Sequence, residues 1–130
     1  MSKEIVELAR QATDGSAAGF FDLLDVHVVC DNRGFPLPDG RPVTIGREAV
    51  TRQYVRWWGT FDRYSVRAEE IIDAGDSVVV VIEERGRGKG SQIPFDARHT
   101  QVWTFRKRTI THIEMFRDRS DALEAVGLPE

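Results

Sequence analysis

Cysteine and long apolar runs are almost absent from this chain of 130 residues. Cys30 is the only cysteine, so no disulfide can form within the chain, and a reducing, cytoplasmic setting is the expected location. The longest aliphatic run covers residues 78–82, far too few to cross a bilayer. The N-terminal residues also lack the apolar core of a signal peptide. We therefore expect no membrane partner.

Several kinds of functional motif are missing as well. The formal net charge is −3 with no basic stripe, so we expect no nucleic-acid partner. The three histidines lie far apart without a cysteine partner, so we expect no metal site, and we expect no cofactor. The glycines of residues 86–90 do not have the spacing of a phosphate-binding loop. There is no Gly-x-Ser-x-Gly motif, and Cys30 has no signature of a nucleophile.

The first part of the chain is predicted to be mainly helical. Apolar residues at helical spacing predict a helix over residues 3–12. A second, shorter helix follows over residues 16–24, with Ser16 as its N-cap. A valine-rich run over residues 26–30 predicts a strand. Residues 31–41 contain several glycines and prolines and predict a long loop, which in a compact domain is often functional.

The second part combines one helix with a series of strands. An amphipathic helix begins near Gly46, and its aromatic inner face extends to Phe61. Strands are predicted over residues 64–73 and 77–87, before a hairpin and a final helix with Ser120 as its N-cap. Helices and strands that come in runs indicate an α+β fold, and the length suits one domain over residues 1–130.

Residues 96–118 organise the rest of the chain, because two alternating runs flank a short basic break at Lys107 and Arg108. This pattern is typical of a long β-hairpin. If these two residues form the tight turn, the register of the two strands follows. The predicted pairs are Phe105 with Ile110, Trp103 with His112, Gln101 with Glu114, and His99 with Phe116.

Side chains alternate between the faces of a sheet, so these eight residues would share one bulky face that is suited to the wall of a pocket. The opposite face would be flatter and richer in β-branched residues, which suits packing against another surface. It would carry Arg98, Thr100, Val102, Thr104, Thr111, Ile113, Met115 and Arg117.

Five runs of residues carry a resemblance to a known family: 28–31, 45–50, 73–80, 101–106 and 116–128. With them the chain resembles the SnoaL-like, polyketide-cyclase-type branch of the nuclear-transport-factor-two-like superfamily, over nearly its whole length. The resemblance implies a cystatin-like α+β cone, in which a curved antiparallel sheet wraps around helices and encloses a pocket. It also implies a homodimer joined through the outer sheet face. In this chain that face would comprise Thr100, Val102, Thr104, Thr111, Ile113 and Met115.

The resemblance to the cyclases implies a carboxylate on the last strand with histidine and glutamine nearby, which Glu114, His99 and Gln101 match. A carboxylate on an aromatic face has a raised pKa and could take a proton next to a carbonyl. Gln101 or His99 could then stabilise the enolate. The alternative is a buried polar network without catalysis, or an ion pair between Glu114 and His99. Asp31 matches the ketosteroid-isomerase base, although a carboxylate at the end of a strand more often simply faces solvent.

Aromatic side chains predict a pocket for an apolar or aromatic ligand. Tyr54, Trp57 and Trp58 recur at helical spacing and could stack on a flat ligand, although such residues are more often plain core. Arg33 could select an anionic substrate or simply shape its loop. The hairpin would contribute Trp103, Phe105 and Phe116.

The predicted function is that of a cofactor-free enzyme of the cyclase or isomerase type acting on a small apolar ligand. Two alternatives stay open at this point. The chain could be a non-catalytic protein that binds a small ligand, or a protein-interaction module that uses the outer sheet face, because this fold carries all three functions.

Overall fold

The computed structural model describes residues 2–13, 17–35 and 41–129. Its elements confirm the α+β class. In chain order they are α1 (Ser2–Ala12), α2 (Ala17–Leu23), β1 (Leu24–Asp31), β2 (Val43–Ile45), α3 (Arg47–Trp58), β3 (Phe61–Ala74), β4 (Ser77–Gly88), β5 (Pro94–Arg106), β6 (Thr109–Phe116) and α4 (Arg119–Ala125).

The structure adds one strand and corrects two local predictions. Strand β2 was not predicted, because three residues are too short a run to show alternation. Phe61 begins β3 and does not extend the inner face of α3. The N-cap of α4 is Asp118, one residue before the helix, so the prediction of Ser120 is wrong. The predicted cap Ser16 lies outside the described residues.

The strands form one curved sheet in the order β2-β1-β6-β5-β4-β3. Every neighbouring pair is antiparallel except β1 and β6, which run parallel, so the sheet is mixed and not purely antiparallel. Helices α1, α2 and α3 pack on one face of this sheet, which we call the inner face. The largest core cluster lies between these two layers and includes Val28, Val80, Trp103 and Ile113.

The hairpin begins in the predicted register and then departs from it. Phe105 pairs with Ile110 as expected, but Thr104 pairs with His112, which leaves Thr111 as an extra residue in β6. A one-residue shift moves every later side chain to the other face of the sheet. The predicted pairs of Trp103 with His112, Gln101 with Glu114, and His99 with Phe116 are therefore wrong. The observed partners are Ile113 for Trp103, Met115 for Gln101, and Thr100 for Phe116.

The bulge also changes the composition of the outer face. Ile113 and Met115 belong to the inner core, so neither can contribute to the predicted dimer surface. Val102 is on the outer face, but α4 covers it through Ala122 and Leu123. The outer residues of β6 are His112, Glu114 and Phe116, and Phe116 packs beside this smaller cluster.

A close backbone contact holds the loop after β1 against the sheet. A Cβ atom at Gly34 would lie 2.0 Å from the carbonyl oxygen of Met115, so only glycine allows this approach. The next residue, Phe35, stacks on His99 with ring centroids 4.3 Å apart. The loop thereby covers His99, one of the buried polar residues of β5.

Candidate active site

A cavity of about 370 Å³ lies between the helices and the inner face of the sheet. Its size is within the range of small-molecule sites. Helices α1, α2 and α3 form one side, and strands β3, β4 and β5 form the other. The lining residues are Ala12, Thr13, Phe20, Tyr54, Trp58, Tyr64, Ser65, Val66, Arg67, Ile82, Glu84, Gln101 and Trp103.

Glu84 is the one carboxylate among these lining residues. It continues the inner face of β4 after Val78, Val80 and Ile82, and the residue is only 4% exposed. Its Oε1 accepts hydrogen bonds from the Tyr64 hydroxyl at 2.7 Å and from Trp57 Nε1 at 3.2 Å. Its Oε2 is buried and has no partner among the described residues. Burial raises the pKa of this carboxyl above its usual value.

The two donors also indicate where a proton on Glu84 resides. An indole N–H can only donate, and it is directed at Oε1. Oε1 is therefore an acceptor, and the protonated acid would carry its hydrogen on Oε2. The Oε2 atom of Glu84 can thus donate a hydrogen bond when the acid is protonated and accept one when it is ionised.

A β-bulge in β3 brings Tyr64 to this carboxylate. Asp62 pairs with Arg87 and Ser65 with Arg85, so β3 has one residue more than β4 between these pairs. Arg63 accommodates the bulge with a φ of 53°. Bulges re-aim side chains in this way and are common beside functional sites. The Tyr64 hydroxyl is desolvated here, which raises its pKa.

Gln101 is the second polar group of the cavity, and its amide has a defined orientation. Its Oε1 accepts from Trp103 Nε1 at 2.8 Å and from the Tyr54 hydroxyl at 3.2 Å. Because the indole can only donate, the oxygen must face Trp103. The amide nitrogen then lies 2.9 Å from His99 Nε2. One amide hydrogen binds this histidine, and the second has no partner among the described residues.

His99 is buried behind Gln101, against Phe35, and does not line the cavity. Burial lowers its pKa to about 4, so the ring is neutral at physiological pH. Since its Nε2 accepts the Gln101 amide hydrogen, the ring proton must lie on Nδ1. This nitrogen is buried without a partner among the described residues.

We expect nitrogen NMR to show His99 as the Nδ1–H tautomer, uncharged until the pH falls to about 4. Unfolded histidine binds a proton near its usual pKa of about 6.5, whereas folded His99 does not. The free energy of unfolding should therefore fall as the pH is lowered from about 6.5 to 4, by roughly 3 kcal/mol from this group. An Nε2–H tautomer, or titration near the usual value, would contradict this hydrogen-bond assignment.

Asp31 is held in an ion pair away from the cavity. Its carboxylate accepts from Arg33 Nη2 at 2.6 Å and from Nε at 3.0 Å, and these bonds lower its pKa. It pairs with Glu114 in the parallel register of β1 and β6 and therefore lies on the same face as that residue. Arg33 is mostly exposed. Neither Asp31 nor Arg33 lines the cavity.

Apart from Asp31 and Arg33, the predicted site residues are divided among three places. Gln101, Trp103, Tyr54 and Trp58 line the cavity. Three others lie behind its walls: Trp57 donates to Glu84, and His99 is bonded to Gln101. Phe105 packs in the core. Glu114 and Phe116 are on the outer face.

The expected cluster of Glu114 with His99 and Gln101 is therefore wrong, because the sheet separates Glu114 from the other two. Glu84 and Tyr64 were missed by the sequence reasoning. A signal for Glu84 was available, because it extends the apolar alternation that begins at Val78.

A buried amide pair next to the cavity supports α3. Asn32 and Gln53 exchange two hydrogen bonds, of 2.9 and 3.0 Å, and Thr44 and Cys30 complete the network. The network ties the loop after β1 to α3 and to the edge strand β2. Burial raises the pKa of the Cys30 thiol to about 12, so it is not an activated nucleophile.

The described part of the chain contains neither a cluster of metal ligands nor a membrane-spanning helix. No three histidine, cysteine, aspartate or glutamate residues there gather closely enough to hold a metal ion. Within the same residues, no helix is both long and apolar enough to cross a membrane.

Solved structures with the same fold come from several bacteria. One is a protein with a ketosteroid-isomerase-like fold from Catenulispora acidiphila DSM 44928, in complex with trimethylamine; it is 23% identical, with a TM-score of 0.68 over 97% of this chain and 94% of that one. A protein from Jannaschia sp. CCS1, assigned as a SnoaL-like polyketide cyclase, is 17% identical, with a TM-score of 0.72 over 98% and 94%. A protein with a cystatin-like fold from Xanthomonas campestris is 15% identical, with a TM-score of 0.70 over 98% of both chains. These likenesses show the fold.

The family follows from the sequence itself. No curated protein sequence matches this chain. The family model of the SnoaL-like domain, however, matches residues 5–113, which is most of the chain. The chain therefore belongs to the SnoaL-like domain family.

Proposed function

We propose that the cavity binds a small, largely apolar carbonyl compound and that Glu84 moves a proton at the carbon next to the carbonyl, without a cofactor. One observation carries this proposal. Glu84 is a buried carboxyl with a raised pKa, its Oε2 has no hydrogen-bond partner among the described residues, and the residue lines a cavity with five aromatic side chains. A carboxyl whose pKa is moved towards neutral pH is suited to both halves of a proton transfer.

The reaction would begin with ionised Glu84. Its Oε2 takes the hydrogen from the carbon next to the carbonyl, and the electron pair of the broken C–H bond forms the enolate. The free amide hydrogen of Gln101 stabilises the negative oxygen. Glu84 can then return the proton to another carbon, which is an isomerisation. Alternatively, the enolate carbon attacks a second carbonyl carbon of the same molecule, whose C=O π electrons move to its oxygen; that oxygen takes the proton from Glu84, and a ring is closed.

This mechanism retains Gln101 from the sequence-based hypothesis and assigns the base to Glu84 instead of Glu114. The fold relatives support the reaction class, because one is assigned as a polyketide cyclase and another has a ketosteroid-isomerase-like fold. His99 orients the Gln101 amide in this scheme, and the two indoles of Trp58 and Trp103 would contact the ligand.

Hydrogen exchange at carbon tests the proposal without knowledge of the natural substrate. Apolar ketones that bind the protein are incubated with it in D₂O, and NMR measures the loss of the hydrogen next to the carbonyl. We expect the hydrogen to exchange faster with wild type than in buffer without protein. Glu114→Gln should give the same increase, because its side chain is on the opposite face of the sheet. Exchange that is absent for every bound ketone, or that depends on Glu114, would overturn the proposal.

Binding without catalysis is the second candidate. It is favoured because Glu84 and Gln101 already take part in internal hydrogen bonds, and because the Catenulispora protein was crystallised with a small amine. In that case Glu84→Gln would change the affinity for a ligand, and no product or isotope exchange would appear with any bound compound.

We also propose a homodimer, formed through the outer face of β1 and β2, at the edge of the sheet away from α4. The edge strand β2 has two exposed apolar side chains, Val43 at 38% and Ile45 at 67%. Analytical ultracentrifugation should show a dimer that Ile45→Glu weakens, and a monomer at every concentration would refute it.

A reducing, cytoplasmic location is part of the same proposal because Cys30 is a free, buried thiol.

A further inference from the structure

We propose that the same cavity is a binding site for small alkylammonium cations, held by the Glu84 carboxylate and the surrounding aromatic rings. This inference rests on the proposed function only in that the cavity must admit a small molecule. It does not require proton transfer.

The first observation is the absence of a positive partner for Glu84. Asp31, Glu83 and Glu84 are the buried carboxylates of the described residues. Asp31 is paired with Arg33, and Glu83 is bonded to arginines at 2.8 to 3.4 Å. Within the described part of the chain, the donors to Glu84 are the neutral groups of Tyr64 and Trp57. Buried charges are normally paired, so a cationic ligand would supply what this carboxylate lacks.

The second observation is the aromatic wall around this carboxylate. Ring faces attract cations, and ammonium groups without N–H donors are recognised by several rings together. The rings of the cavity contact one another in series, at centroid distances of 5.1 Å for Trp103 with Phe20 and for Phe20 with Tyr54, 5.7 Å for Tyr54 with Trp58, and 6.2 Å for Trp58 with Tyr64. Alkyl groups on the nitrogen would pack against this wall.

Among the residues that the structure describes, no cationic side chain donates to Glu84 in competition with such a ligand. Arg67 lines the cavity, but its side chain is 68% exposed and donates to Glu83 on the other face of the sheet. Burial raises the pKa of both Tyr54 and Tyr64, so the two hydroxyls stay neutral. His99 is also neutral above about pH 4. A bound ammonium group would therefore be the principal cation at Glu84.

Binding would change the protonation of the site. Burial shifts Glu84 towards its protonated acid relative to a solvated glutamate, whereas an ammonium ligand shifts it towards the carboxylate. Each binding event at a pH below the raised pKa of Glu84 should release a proton, and the affinity should increase as the pH rises towards it. The cation would also occupy the oxygen that the proposed proton transfer uses, and would inhibit that reaction.

Calorimetry with choline and with 3,3-dimethylbutan-1-ol, which has carbon in place of nitrogen, tests the inference. We expect wild type to bind choline at least about tenfold more tightly than the neutral alcohol. At mildly acidic pH the choline enthalpy should vary with the ionisation enthalpy of the buffer, because a proton is released. Glu84→Gln should remove both the preference and the buffer dependence, whereas Glu114→Gln, which loses the same charge on the opposite face, should keep both.

The outcomes separate this inference from the proposed function. Equal or tighter binding of the alcohol, or no binding of choline, overturns the alkylammonium site and leaves proton transfer to the exchange assay. A choline preference that survives in Glu84→Gln also overturns it. Choline binding that needs Glu84, together with no isotope exchange in any ketone, supports the cation site and refutes the catalytic proposal.

Discussion

Replacing Glu84 by glutamine is expected to slow the proton transfer by roughly 10²–10⁴-fold. Glutamine has nearly the same shape, and its amide oxygen can still accept from Tyr64 and Trp57. It cannot take or return a proton. Exchange rates in D₂O, compared between wild type and the variant at ligand saturation, measure the effect. An unchanged rate would show that another group is the base.

The same substitution should raise the free energy of unfolding at neutral pH. Unfolded glutamate ionises near its ordinary pKa, whereas folded Glu84 holds its proton to a higher pH. Between these two values the folded state binds more protons, so the stability of wild type declines as the pH rises. The glutamine side chain does not titrate, so the variant does not lose stability in this way. In urea titrations, the difference in the free energy of unfolding between the variant and wild type should therefore increase from pH 4 towards neutrality.

Glu83 provides a matched control on the same strand. Its side chain is directed to the other face, where the hydrogen bond from Arg67 lowers its pKa. Glu83→Gln should therefore destabilise the fold at neutral pH, the opposite sign to Glu84→Gln. If both variants changed stability in the same direction, the assigned difference in environment would be wrong.

Replacing Gly34 by alanine is expected to lower the free energy of unfolding by roughly 3 kcal/mol. The added Cβ would lie 2.0 Å from the carbonyl oxygen of Met115 and 2.9 Å from its carbon, which are backbone atoms of a buried strand. Neither side can yield without moving β6 or the loop. If the loop moves, Phe35 must leave His99, so the NMR signals of His99 should shift in whatever population stays folded.

Gly19 is the control for that experiment. It lies within α2, where a new Cβ would be 4.0 Å from the nearest atom, the Cα of Ala12. Gly19→Ala should therefore be neutral or stabilising by up to about 1 kcal/mol, because alanine favours the helix. Equal stability of the two alanine variants in urea would mean that the loop after β1 does not approach β6 as closely as described.

Local periodicity was enough to predict most helices and strands and the fold class. The helix from residue 47 and the long strands β3, β4 and β5 each repeat their pattern over several turns or pairs, so the signal accumulates. Strand β2 has only three residues and depends on β1 for its hydrogen bonds, which no local pattern records.

The hairpin register was the main error, and burial explains the observed solution. The prediction assumed no bulge and favoured a face that combined aromatic with ionisable residues. The bulge at Thr111 instead places Ile113 and Met115 in the core and leaves His112 and Glu114 outside. Burial of two apolar side chains outweighs the cost of one unpaired residue in the ladder.

The sequence by itself determined that this chain is an α+β member of its family, and that Glu83 and Glu84 lie on opposite faces of one strand. Only the tertiary structure decided which hydrogen-bond and ion-pair partners each glutamate has. On one face three strands bring arginines to Glu83, and on the other a bulge in β3 and the helix α3 bring Tyr64 and Trp57 to Glu84. Except for Arg85, these partners are distant in sequence, so the pKa shifts of two adjacent, chemically identical residues take opposite signs for reasons that lie mainly outside the local pattern.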